Sequence, residues 1–147
     1  MLSPKGEYRR PLAASVYGIT AAYNFHNTGY IGVVRTYSDP NYTINEQTLV
    51  WGTLVPDSFD NLTVYYNQTI YMENYGGQNV NVSLSVGNWQ PADAYEYVSV
   101  TWDHQYALLT PGLKEPAVVT LALYPNATNS DIPTNGFSFD ITINESW

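Results

Sequence analysis

Six asparagines, Asn41, Asn61, Asn67, Asn81, Asn126 and Asn144, each stand two residues ahead of a serine or threonine. Asn-x-Ser/Thr is the acceptor motif for N-linked glycan, and chance would place roughly two such motifs in a chain with this much Asn, Ser and Thr. The excess points to glycosylation of at least some of them, set against an Asn/Thr surface selected for solubility alone. Asp103-His104 is an adjacent acid and imidazole. Neighbours on a strand point to opposite faces, so the two form a relay only where a turn intervenes. His26 lies beside an Asn-Thr-Gly turn and far from His104, which is not a metal-ligand spacing. Asp57 with Asp60, and Asp131 near Asn129, place hard oxygens in loops, but no Asp-x-Asp-x-Asp-Gly loop is present. These acids are expected to face water, with a structural calcium as the less favoured alternative and no cofactor otherwise. No catalytic residue and no metal ligand is assigned, and the chain is not expected to be an enzyme.

The elements that would position these residues are strands. Between Asn61 and Met72, the even positions Leu62, Val64, Tyr66, Ile70 and Met72 are apolar, and only Gln68 breaks the alternation, which predicts a bulge or break there. Val80, Val82, Leu84 and Val86 alternate with Asn79, Asn81, Ser83 and Ser85, and the Asn74-Tyr75-Gly76-Gly77 turn between the two runs reads as a hairpin. Asn88-Trp89-Gln90-Pro91 is expected to end the second run. Further strands are expected over 30–37, 48–54 and 95–103, around Val119, Leu121 and Leu123, and over Phe137, Phe139, Ile141 and Ile143. Nothing shows helical periodicity. Seven or eight short strands, with turn signals between them, describe an all-β, immunoglobulin-like sandwich. Asn61, Asn67, Asn81 and Asn144 fall on its outward faces.

One stretch does not alternate. Residues 11–25, PLAASVYGITAAYNF, are largely apolar on both faces, with Leu12, Ala14, Val16, Gly18 and Ala22 on one and Ala13, Tyr17, Ile19 and Tyr23 on the other. Two-sided apolar character implies burial on both sides. Its small residues suit a narrow groove, in its own molecule or in a neighbour.

Composition narrows the classes. The 147 residues suit one domain, and the absence of cysteine removes disulfides, thiolate metal sites and thiol nucleophiles. A formal charge of −8 with five Lys and Arg leaves no basic stripe for phosphates, so nucleic acid and anionic membranes are excluded as expected partners. Only 12% of residues are charged, so the polar surface must be built from Asn, Thr, Ser, Gln and Tyr. No run approaches the ~20 apolar residues of a membrane-spanning helix. Lys5, Arg9 and Arg10 ahead of an Ala-rich run are superficially like a signal peptide, but Tyr17, Gly18 and Thr20 interrupt the run, and the segment is expected to be retained. Lys5-Gly6 is similar to a type IV pilin processing site without the long apolar helix that must follow, and that class is set aside. The aromatics, 14 Tyr and 4 Trp, suit core and cross-strand pairs as well as a sugar-binding platform.

The succession Trp51-Gly52-Thr53-Leu54-Val55-Pro56, Thr69-Ile70-Tyr71-Met72-Glu73-Asn74-Tyr75-Gly76-Gly77, Val82-Ser83-Leu84, Asn88-Trp89-Gln90-Pro91 and Phe137-Ser138-Phe139-Asp140-Ile141 resembles the subunits of archaeal thread and bundling-pilus filaments. These are glycosylated β-sandwich pilins joined by donor-strand complementation. The resemblance spans roughly residues 12–145 as a pattern, with no single diagnostic motif. It departs where the chain is longer, over 61–68, and at the secretion signal. It implies that residues 1–25 are a donor-strand segment, with Leu12, Ala14, Val16, Tyr17, Gly18 and Ile19 inserted into a neighbour, and that 26–147 form the sandwich. Burying about 500 to 800 Å² at about 25 cal/mol per Å² corresponds to roughly 12 to 20 kcal/mol before ordering costs. Such a link is head to tail and propagates into an open filament.

The expected function is therefore a subunit of an extracellular, cell-surface pilus or thread, a homopolymer of copies of itself used for adhesion or biofilm formation, with cell surfaces or glycans as further partners. The alternatives are a monomeric surface adhesion or glycan-binding module that keeps the strand in its own sheet, and a β-sandwich virion protein.

Overall fold

The computed structural model describes residues 12–23, 33–45, 48–57, 59–129 and 136–146. The described residues form nine strands: β1 (Leu12–Tyr23), β2 (Val34–Tyr37), β3 (Thr48–Leu54), β4 (Val64–Asn74), β5 (Val80–Gln90), β6 (Val98–Trp102), β7 (Ala107–Leu109), β8 (Lys114–Leu123) and β9 (Phe137–Ser146). They form a five-stranded sheet, β3-β1-β9-β5-β7, and a four-stranded sheet, β2-β4-β8-β6. The protein is an all-β sandwich, as the alternating pattern requires. The described strand count exceeds seven or eight because β7, three residues long, is too short to show a period. All pairings are antiparallel except β1 with β9, which run parallel.

The core is where the inward faces meet. Ile70, Met72, Val119, Leu121 and Leu123 of β4 and β8 are buried with Val80, Val82, Phe139, Ile141 and Ile143 of β5 and β9 in one cluster. Each fully buried branched or aromatic side chain contributes about 1.5 to 3 kcal/mol by leaving water. Trp102 is buried, and Trp51 and Trp89 pack partly buried against the cluster, Trp89 with its ring centroid 4.8 Å from that of Phe139.

Three local readings are corrected. The runs either side of Asn74 are not a hairpin, because β4 and β5 lie in different sheets. Asn74 is buried, and its side-chain amide donates to Gln78 O at 2.8 Å and Leu109 O at 2.9 Å while Oδ1 accepts from Gly76 N–H at 2.9 Å. The turn is thereby stitched to β7 of the opposite sheet, and the chain crosses the sandwich instead of doubling back. Alternation specifies an inward face but cannot tell a lateral neighbour from one facing it across the core.

Gln68 makes no bulge, since β4 pairs β8 without interruption from Val64↔Leu123 to Glu73↔Lys114. Its side chain stays on the inward side and donates from Nε2 to Val50 O at 2.8 Å, which satisfies the amide without disturbing the ladder. The Asn88-Trp89-Gln90-Pro91 stretch does end β5, at Gln90. The strand absorbs an extra residue between Gly87 and Gln90, with Asn88 at φ 51°, and stops only ahead of Pro91. The strand expected over 95–103 begins at Val98, because Ala94–Glu96 form a short 3₁₀ turn.

Candidate functional site

The position of β1 is the feature with most bearing on function. On one edge it pairs antiparallel with β3, from Leu12↔Leu54 through Ala14↔Gly52 and Val16↔Leu49 to Tyr17↔Thr48. On the other it pairs parallel with β9, with Ala14↔Phe137, Val16↔Phe139, Ile19↔Ile141 and Tyr23↔Glu145. β1 carries one extra residue between Val16 and Ile19, so Tyr17 and Gly18 lie at a break in the β9 ladder opposite Asp140. β5 carries its own extra residue on the far side of Asp140, and the Asn88 amide there donates to Asp140 Oδ2 at 2.6 Å. All six residues named for the donor strand thus lie on a strand paired along both edges within its own chain. Residues 1–11, and 24 and 25, lie outside the described residues.

Where the slot ends, β9 carries a buried acid. Glu145 has no exposed surface, and its Oε1 accepts from Val33 N–H at 2.8 Å and Val34 N–H at 3.3 Å at the start of β2. Its Oε2 is buried and has no hydrogen-bond partner among the described residues. Burial pushes the Glu145 carboxyl above its ordinary value, against the two backbone N–H bonds that favour the charge. This one side chain ties the re-entry of the chain after β1 to the strand that β1 pairs with. The sequence held the signal for it, because positions 137, 139, 141 and 143 are inward and a strict period of two places 145 inward as well.

A second polar locus closes the end of the four-stranded sheet. A turn intervenes at Asp103-His104, and it brings His104 Nδ1 to 2.6 Å from Asp103 Oδ1 and Nε2 to 3.0 Å from Glu115 Oε2. Asp103 Oδ1 also accepts from Val118 N–H at 2.9 Å. Burial works to raise the Asp103 carboxyl, but the hydrogen bonds from His104 and Val118 outweigh it and take the carboxyl below its ordinary value. Both ring nitrogens are engaged by carboxylates, so the arrangement holds a turn and leaves neither nitrogen open to a substrate. His26 lies outside the described residues.

The remaining candidates are placed as follows. Asn41, Asn61, Asn67, Asn81 and Asn126 are exposed. Asn67 Oδ1 accepts from the Thr120 hydroxyl at 2.8 Å, so its acceptor is the atom engaged. Asn144 is half-buried and its amide donates to Ser85 Oγ at 3.1 Å. Asp57 Oδ1 accepts from Asp60 N–H at 3.1 Å and caps its own turn, while Asp131 lies outside the described residues. No group of three His, Cys, Asp or Glu that could hold a metal ion is found among the described residues. No helix among the described residues is long and apolar enough to cross a membrane.

Fold and site together define a β-sandwich whose first strand sits in the interior of its sheet. Compared with protein-family models, with curated proteins and with solved structures, the chain matches none.

Proposed function

We propose that this protein is a structural subunit of an extracellular, glycosylated surface filament, polymerised head to tail by donor-strand complementation and used in adhesion or biofilm formation. The observation that carries the reading is the place of β1, an interior strand that precedes the other eight described strands in the chain and pairs with β3 and β9. Withdrawing it opens a slot between β3 and β9, beside the buried Leu49, Leu54, Phe137, Phe139 and Ile141. Two unpaired strand edges beside apolar side chains will take an identical strand from a second copy in the same register, with the same backbone bonds and the same burial. Each copy that lends its strand needs one in return, and where that strand comes from a third copy the contact is heterologous and continues into a filament, whereas a reciprocal exchange closes into a dimer. The low charge and the Asn-x-Ser/Thr motifs on the exposed surface support an extracellular, sugar-coated location. A monomeric surface module is the second reading, favoured by β1 lying in the sheet of its own chain.

The chain has no cysteine, so introduced thiols report without background. Ser15 and Ser138 are cross-strand partners on β1 and β9. An equimolar mixture of S15C chains and S138C chains should give disulfide-linked pairs under mild oxidation, because each bond then joins two copies. If disulfides form only when both cysteines are on one chain, and that chain remains a monomer, the filament reading fails and the monomeric module stands.

A further inference from the structure

We propose that Gln68 and Gln105 are edge-sealing residues, whose side chains occupy hydrogen-bonding positions on the outer edges of the five-stranded sheet and so keep a second copy of this chain from adding a strand there. The outer strands of that sheet are β3 on one side and, beyond the end of the short β7, β5 on the other. Exposed strand edges of this kind are templates for pairing with another chain. One edge of β3 is taken by β1. From β4, Gln68 Nε2 donates to Val50 O of this outer strand at 2.8 Å, and just past the end of β3 Tyr66 Oη accepts from Val55 N–H at 3.2 Å and donates to Val55 O at 3.3 Å.

On the opposite side, β7 pairs Val80 and Val82 and then stops. Leu84 is the next residue of that parity, and its N–H donates to Gln105 Oε1 at 2.9 Å where a longer β7 would have supplied a carbonyl. Trp102 Nε1–H donates to the same oxygen at 2.6 Å and fixes its orientation. A glutamine side chain ends in the same amide as the backbone, so it substitutes for one peptide group of a missing strand without offering a further edge.

The turn that aims Gln105 is itself constrained. Tyr106, the next residue, has φ 61°, a conformation that costs a bulky residue of order 1 to 3 kcal/mol and persists only when the surroundings hold it. Asp103, His104 and Glu115 supply that hold through bonds of 2.6 and 3.0 Å, so the acid and imidazole act as positioning residues for the seal. Gln68, anomalous in an otherwise apolar face, and Asp103-His104, without a partner for chemistry, acquire one purpose.

The inference stands on the edge geometry alone. It bears on the filament reading by leaving the β1 slot as the route by which copies join. The test uses full-length Q68A, Q105A and Q105E, with light scattering for assembly and amide hydrogen exchange at Leu84. Q105A should raise Leu84 exchange about fivefold, the loss of roughly one hydrogen bond, and both alanine variants should assemble at concentrations where the wild type does not. Q105E keeps an acceptor for Leu84 and Trp102 and should behave as wild type, which separates loss of the seal from a general folding defect. Disulfide formation between S15C and S138C chains should not rise with the new assembly. The proposal is overturned if Q68A and Q105A leave both assembly and exchange unchanged, if Q105E behaves as Q105A, or if the extra assembly brings a matching rise in S15C–S138C pairs. A wild type that never exchanges β1 would remove the filament reading and leave this result to be read independently.

Discussion

Replacing Glu145 by Gln and by Ala separates two roles of one buried side chain. In the native state Oε1 accepts from the N–H groups of Val33 and Val34, whereas Oε2 is buried with no partner among the described residues. Alanine leaves those two donors without an acceptor, at about 1 to 3 kcal/mol for each buried group, so E145A should lose roughly 2 to 6 kcal/mol of unfolding free energy. Glutamine keeps the acceptor and removes the charge. The native carboxyl lies above its ordinary 4.5 because of burial, so the folded state holds its proton more tightly than the unfolded state. The stabilisation from that proton is complete below the unfolded value and is lost as pH rises through the native value.

Between those two values, the advantage of E145Q over wild type should grow by about 1.4 kcal/mol per pH unit and then level off. Urea denaturation of wild type, E145Q and E145A, from acid to neutral pH, reads this directly. Taking the difference between wild type and E145Q cancels the other carboxylates, Asp39 and Asp103 among them, whose depressed values push stability the opposite way. A gap between E145Q and wild type that is flat with pH, or that shrinks on going from acid to neutral, would refute the reading of Glu145 as a buried acid stabilised by its proton.

Two further outcomes follow from the geometry. A Cβ at Gly76 would sit 2.7 Å from Val33 Cγ1 and 2.9 Å from Val33 Cβ, so G76A should destabilise by about 1 to 3 kcal/mol, measured by thermal unfolding, and the shorter V33A should recover part of the loss in the double variant. For Asp103 the sign is the reverse of that for Glu145. Its native value lies below the ordinary 3.8, so its contribution is present above that value and is lost as pH falls through the native one. D103N should therefore be less stable than wild type at neutral pH and converge with it in acid, by at most about 1 kcal/mol because the Asp103 side chain is 52% exposed and water screens the pair.

The contrast between Gln68 and Glu145 shows what kind of information the sequence carried. Both stand on inward faces in strands whose period of two was plain, and both are polar. For Gln68 the anomaly was visible, but its resolution was not, because the carbonyl it reaches belongs to β3, eighteen residues away in the chain and in the other sheet. For Glu145 the inward parity is equally local, since it continues that of Phe137, Phe139, Ile141 and Ile143. Its partners, Val33 and Val34, are more than a hundred residues distant along the chain. The turn at Asp103-His104 had the same character: its residues were legible, and the carboxylate of Glu115 that completes it was not.

By itself the sequence determined the β class, the inward positions of most strands and the composition of the surface. Each of these follows from a local alternation or from counts, and hydrophobic burial converts them directly into faces. Tertiary structure alone decided which strands are neighbours and which face one another, that β1 lies inside its sheet parallel to β9, and where the buried acid and the edge glutamines find their bonds. Strand pairing is a choice among edges that all present the same backbone groups, and only the packing of the whole chain distinguishes them.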